Sequence, residues 1–179
     1  MAEEHRGRQE GKTPENMSSG PLKLRAVDAE DVAVLAACLQ DALVPASDMR
    51  YLAAENRFIL LANRFCWEKL PATALDPDAG AGPKGPFERV HCGLTFEHVT
   101  RVQARGFDPA ADDPAERLFE VLTIIAEANA DGSAALTLLF AGRVAIRLDA
   151  ARIEILAQDV GEPWPTLWRP AHPLDTREG

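Results

Sequence analysis

The densest set of chemistry-bearing residues in this chain is the run Asn-Arg-Phe-Cys-Trp-Glu at 63–68. Asn63, Arg64 and Glu68 attach an amide, a guanidinium and a carboxylate to an otherwise apolar stretch. Such a set can orient a substrate or grip an anion. If Asn63 follows the inward register of Ile59 and Leu61, it needs buried hydrogen-bond partners. The same buried polar network can instead specify strand register. The arginines form a second set. Arg89, Arg101 and Arg105 point outward from two successive strands, and Arg143, Arg147 and Arg152 fall in matching parts of the second half. Planar guanidinium forks take carboxylates and phosphates bidentately. The blander reading pairs these arginines with Glu120, Glu127 and Glu154 on solvated faces.

Other combinations are weaker. Glu97 and Asp149 each follow an alternating strand, as paired acid–base carboxylates or as turn caps. His91, Cys92 and His98 suggest a metal site or a Cys–His nucleophile. On a strand, however, His91 and Cys92 point to opposite faces and cannot share one ion. Cys92 then reads as a small core residue, and the expectation is no metal and no cofactor. Tyr51, the only tyrosine, is explained by packing in a hairpin.

The elements that must position these groups repeat. "RFILLANRFCWE" and "RVHCGLTFEHVTRVQARG" in one half match "LFEVLTIIAEA" and "ALTLLFAGRVAIRLDAARIEILAQDVG" in the other. Each half reads as a four-stranded antiparallel meander. Ahead of them, "PLKLRAV" reads as a short strand. Asp28 then sits at an N-cap position, with Val32, Leu35, Leu39 and Leu43 at helical spacing, so a helix is expected over about 28–43, ended by Pro45. "DMRYLAAENRFILLANRFCWE" reads as a hairpin turning at Glu55-Asn56, its second strand running Arg57 to Glu68 with a bend near Asn63. Val90, Cys92, Leu94 and Phe96 should face inward, and Val99 to Val102 should carry a bulge. The last strand is expected over Ile153 to Gln158, followed by a proline-bearing tail that Trp164 and Trp168 pin to the body.

The bulk numbers narrow the class. At 179 residues, with 46% hydrophobic residues, the chain fits one domain plus tails. The boundaries read as a disordered tail over 1–20, a single domain over 21–166 with a Pro/Gly-rich loop at 70–86, and a C-terminal tail over 167–179. A net charge of -9 argues against a nucleic-acid or anionic-membrane binder. The three cysteines, Cys38, Cys66 and Cys92, are widely spaced and suggest no disulfide framework. No signal peptide or bilayer-length apolar run is legible, so a cytoplasmic protein is expected, monomeric or homodimeric. Met17 reads as an alternative translation start, because residues 1–16 hold no apolar pattern.

The runs "LKLRAVDAEDVAVLAACLQDALV", "DMRYLAAENRFILLANRFCWE", "LTFEHVTRVQARG" and "LTLLFAGRVAIRLDAARIEILAQDVGEPW" together resemble an uncharacterised alphaproteobacterial family, domain-of-unknown-function family 2948. The resemblance spans roughly residues 22–166 and implies no activity, cofactor or catalytic residue. The expected fold is α+β: two related meanders forming a sandwich or partly closed barrel, with one amphipathic helix. The expected function is a non-catalytic binding module for a protein partner or an anionic metabolite, with Asn63, Arg64, Glu68, Arg89, Arg101 and Arg105 as candidate contacts. The alternative is a small enzyme using carboxylate and Arg/Asn groups around the 63–68 run and Glu97.

Overall fold

A computed structural model describes residues 20–70, 87–108 and 117–170. The readings made of residues 1–19, including the start at Met17, and of 71–86, 109–116 and 171–179 lie outside the described residues. The described chain is mostly antiparallel sheet with one α-helix. Its strands are β1 (Lys23–Ala26), β2 (Leu43–Pro45), β3 (Met49–Leu52), β4 (Arg57–Phe65), β5 (Phe87–Phe96), β6 (Val99–Arg105), β7 (Leu118–Ala128), β8 (Ala134–Phe140), β9 (Val144–Ala150) and β10 (Ile155–Thr166). They hydrogen-bond in the order β1-β10-β5-β4-β2-β7-β8-β9-β6, with β3 on β4, and the path does not close.

The helix α1 (Ala29–Leu39) starts as its sequence requires. The Asp28 carboxylate accepts from the Asp31 amide at 2.8 Å, and Asp31 returns a carboxylate oxygen to the Val27 amide at 3.0 Å. Each bond satisfies an amide that would otherwise lack a partner at a helix start. Val32, Leu35, Ala36 and Leu39 bury the core-facing stripe. The helix stops four residues short of the expected Leu43, because Asp41 adopts φ 60° and turns the chain. Beyond it, Asp41 donates to the Val121 carbonyl and Ala42 accepts from the Val121 amide, at 2.9 and 2.8 Å. Leu43 and Val44 therefore become β2, which bridges β4 and β7. Pairing on two sides outweighs the helical spacing of Leu43, since both neighbours supply backbone partners.

The β3–β4 hairpin turns at Ala53–Glu55 and at Asn56, which takes φ 52°. β4 runs through Asn63 to Phe65 in unbroken register with β5, so the expected bend is absent. Trp67–Lys69 is a 3-10 turn and not the end of the strand. On β5 the inner set is as expected: Val90, Cys92, Leu94 and Phe96 are buried. The irregularity between Val99 and Arg101 is present on β6. The last strand outruns its expected end at Gln158. It continues to Thr166 after an irregularity between Val160 and Trp164, where Gly161 takes φ 77°. Trp164 packs on His91, but Trp168 is 83% exposed and pins nothing.

Two runs of three strands pair in sequence: β3-β4-β5 and β7-β8-β9. The strands that follow them do not extend two four-stranded meanders as expected. β6 lies on β9, and β10 lies on β5. The connecting corners are not tight type I′ hairpins. A tight two-residue hairpin of type I′ needs positive φ at both central residues. In the Glu97-His98 corner only His98, at φ 60°, has it. The two corners pass each other, with Glu97 donating to the Glu154 carbonyl at 2.9 Å and Ala151 to the His98 carbonyl at 3.0 Å. Each crossing gives a backbone donor and acceptor a partner outside the regular ladders.

Candidate functional site

Alternation places Phe58, Leu60, Ala62 and Arg64 of β4 on the buried face. Asn63 lies on the other face with Ile59 and Leu61, half-buried. Arg64 is thus the inward polar group, with its side chain 1% exposed. Ala62, Cys92 and Asp159 sit opposite one another across β4, β5 and β10, which brings the Asp159 carboxylate beside Arg64. Arg64 Nε and Nη2 donate to the two Asp159 oxygens at 2.7 and 2.6 Å. Nη1 and Nη2 donate to Glu68 at 3.0 and 2.8 Å, and Nη1 also reaches the Phe65 carbonyl at 3.4 Å. These contacts use all five guanidinium protons. Asp159 further accepts from the Leu22 amide at 2.8 Å.

The protonation balance follows from this geometry. Burial opposes the charge on Arg64, but the hydrogen bonds and charges of Asp159 and Glu68 outweigh it and push the pKa up. Burial raises Asp159 and Glu68, and the Arg64 bonds more than reverse this, so both carboxylates lie below their ordinary values. The Cys92 thiol, buried and beside Asp159, is pushed up to about 12. Burial also raises Cys38 and Cys66, and all three thiols are free. None has the lowered pKa that makes a thiolate nucleophile.

Arg89 stands on the opposite face of β5. Its Nη1 donates to the Asn63 carbonyl at 2.9 Å, and its guanidinium lies 5.8 Å from the Phe65 ring centroid. Trp164 is its register partner on β10, and His91, two residues along the same face, packs on Trp164 with centroids 4.6 Å apart. Burial lowers the Arg89 pKa, an effect only partly opposed by the charges of Asp41 and Glu120. Among the described residues no carboxylate lies within ion-pair distance of it. Arg57 and Arg64, by contrast, are paired on β4, and Arg147 and Arg152 in the second half.

Asn63, Arg64, Glu68 and Arg89 therefore gather at one end of β4 and β5, on two faces. Arg101 and Arg105 do not join them. Their strand lies on β9, at the far end of the strand order, where Arg101 opposes Asp149 and Arg105 opposes Ala145. Glu97 is held by Arg57 at 3.0 and 3.1 Å, and Asp149 by Arg147 at 3.0 Å. His98 contacts Glu154 at 3.0 Å, and Glu154, also bonded by Arg25 and Arg152, is lowered to about 2. His91 is exposed and Cys92 buried, on opposite faces. No group of three or more His, Cys, Asp or Glu among the described residues could hold a metal ion. Tyr51 packs against the core, its hydroxyl donating to the Val99 carbonyl at 3.3 Å.

Asp159 and the pairing of Trp164 with Arg89 escaped the sequence reading. Their signal was nonetheless present, because Ile155, Ala157 and Asp159 alternate, and extending that strand by one residue puts a carboxylate inward that demands a cation.

The family model described as Protein of unknown function (DUF2948) matches residues 22–172. No curated protein and no solved structure matches the chain.

Proposed function

The chain belongs to the DUF2948 family of unknown function, and from that premise we propose that it is a non-catalytic binding module whose ligand presents an anionic group to Arg89. One observation carries this reading. Arg89 is half-buried, oriented by the Asn63 carbonyl and the Phe65 ring, and has no carboxylate partner among the described residues. A partly desolvated guanidinium with spare donors gains more from an anion than an exposed one does. His91 and Trp164 supply a ring surface beside it for the body of the ligand. Asn63 serves through its backbone, and Arg64 with Glu68 holds the strands.

The enzyme alternative draws less support. Arg64, Glu68 and Glu97 are engaged by partners of the chain itself, and an acid–base pair with spare valence is not among them. Two related halves with exchanged fourth strands, packed as a sandwich or partly closed barrel over about 21–166, form the scaffold in this reading. Among the described residues no helix is long and apolar enough to cross a membrane. With three reduced thiols, that fits a cytoplasmic setting, monomeric or homodimeric.

The test is a nuclear magnetic resonance titration of the full chain with inorganic phosphate and, separately, benzoate. The Arg89 Nε–H and Trp164 indole signals are expected to shift saturably. Arg89→Lys, which keeps the charge but loses the fork, should weaken the response at least tenfold. An equal response in Arg89→Lys, or equal shifts at all exposed arginines, refutes the reading.

A further inference from the structure

The outward face on which Arg89 lies is larger than one arginine. Register assigns its rows. Arg50, Ile59, Thr95, Leu156 and Arg25 share one row across β3, β4, β5, β10 and β1. Leu61, Gly93, Gln158 and Lys23 share the next. Asn63, His91 and Val160 form the third, and Phe65, Arg89 and Trp164 the last. The middle is apolar and is not covered by another described element: Ile59 and Leu61 are half-buried, while Leu156 is 40% and Val160 52% exposed. Gly93 keeps the centre low. A Cβ there would touch the Val160 side chain at 3.7 Å, so Val160 leans over a shallow floor.

Charged side chains border that centre, and one of them, Glu120, is a carboxylate that joins the third row through Leu43. The carboxylates at its end, Glu97 and Glu154, are held by Arg57 and by Arg25 with Arg152. Lys23, Arg50 and Arg89 have no ion pair with a described residue. A chain of net charge -9 thus sets three cations, Lys23, Arg50 and Arg89, against one carboxylate, Glu120, around an apolar patch. Apolar patches rimmed by polar groups mark protein contacts on soluble proteins.

We propose that this face docks a protein partner that presents carboxylates around apolar side chains. The proposal rests on the reading of Arg89 as an anion contact and extends it to the whole face. Complementarity selects this occupant. A second copy placed face to face would set cation against cation. A nucleic acid would leave Ile59, Leu61 and Val160 without apolar contact and would meet the repulsion of an acidic chain.

The experiment is selection of a random 12-residue peptide library on the immobilised full chain, followed by affinity measurement with the synthetic winners. Winners should combine Asp or Glu with Leu, Ile, Val or Phe. Their binding should weaken at least tenfold in Leu61→Asp, in Val160→Asp and in the pair Lys23→Glu with Arg50→Glu. Arg101→Glu with Arg105→Glu should leave it unchanged. Val160 is exposed enough that Val160→Asp keeps its fold, which a melting curve checks. Basic or uncharged winners, no enrichment, binding that survives Val160→Asp, or tighter binding of a single-stranded DNA 20-mer each overturn the proposal. If benzoate still shifts Arg89 while no acidic peptide binds, the Arg89 reading stands and the docking face falls. If acidic peptides bind equally well to Arg89→Ala, the docking face stands and the role of Arg89 falls.

Discussion

Arg64 and Asp159 offer the sharpest test of how this sheet is held. Arg64→Met removes the cation but leaves a carboxylate whose side chain is 5% exposed. Breaking a buried, hydrogen-bonded ion pair from one side costs about 3–5 kcal/mol. For a chain of this size each kcal/mol moves Tm by roughly 2–4 °C, so a fall of roughly 6–20 °C is expected. Replacing both partners, as Arg64→Met with Asp159→Leu, removes the deeply buried charge and leaves Glu68, 35% exposed, to be solvated by water. It should recover much of the loss, less about 1 kcal/mol for the Leu22 hydrogen bond that Asp159 also accepts. Urea unfolding of both singles and the double, read as a cycle, should therefore give a coupling of at least about 2 kcal/mol.

The pH dependence adds an independent sign. In the native chain Asp159 lies below its ordinary value, so the folded state binds fewer protons than the unfolded one. Its contribution is present above the ordinary carboxylate range and is lost as pH falls through the folded pKa. In Arg64→Met, burial without a cation drives the carboxyl above its ordinary value. The folded state then binds more protons, and the variant should gain stability between pH 7 and pH 5. Additive singles, a loss below about 1 kcal/mol for Arg64→Met, or no reversal of the pH trend would show that the network is not what holds these strands.

Three further outcomes are expected of this structure. Thiol labelling of the native chain at neutral pH should modify Cys38 first and leave Cys66 and Cys92 protected until unfolding, when all three react; early labelling of Cys92 contradicts its burial and its pKa of about 12. Glu154 should titrate near 2 by carbon-detected resonance, so its stabilisation persists above the ordinary carboxylate range and fades only as pH falls towards that value. Arg25→Ala with Arg152→Ala should move this midpoint back up towards 4.5. Gly106→Ala should destabilise by about 1–3 kcal/mol in urea unfolding, because Gly106 has φ 86° and its new Cβ would sit 2.8 Å from the Arg143 carbonyl oxygen; an unchanged midpoint would refute that close approach.

Much of the local structure was legible because single residues dictate it. Asp28 announced its helix, and the alternation of Val90, Cys92, Leu94 and Phe96 fixed the inner face of β5. β4 was harder for a physical reason. Phe58, Leu60 and Ala62 on one face and Ile59 and Leu61 on the other are equally apolar, so the sequence carries no phase signal to say whether Asn63 or Arg64 turns inward. Leu43 was misread because its helical spacing is real while its backbone partners, Asn63 and Glu120, lie in distant parts of the chain. The half-burial of Arg89 depends on Phe65 and on Trp164 beyond an irregular strand, and neither neighbour is close to it in sequence.

The pairing of β10 with β5 was invisible for the same reason, and it gives the buried arginine its meaning. β10 belongs in sequence to the second half, yet it must find β5 in the first. Val160, Gln158 and Leu156 on one face of β10 are nearly as good a set to bury as Ala157 and Ile155 on the other, so hydrophobicity sets the register weakly. A slip of one residue would turn Asp159 outward and leave Arg64 buried without its partner, a penalty of several kcal/mol by the estimate for a broken buried pair, about 3–5. Arg64 on β4 thus reads the register of a strand two positions away in the sheet, through a bond that also secures Leu22 ahead of β1. That use accounts for every donor of Arg64. Arg89, on the other face of these strands, has no such engagement: only its Nη1 donates, to the Asn63 carbonyl.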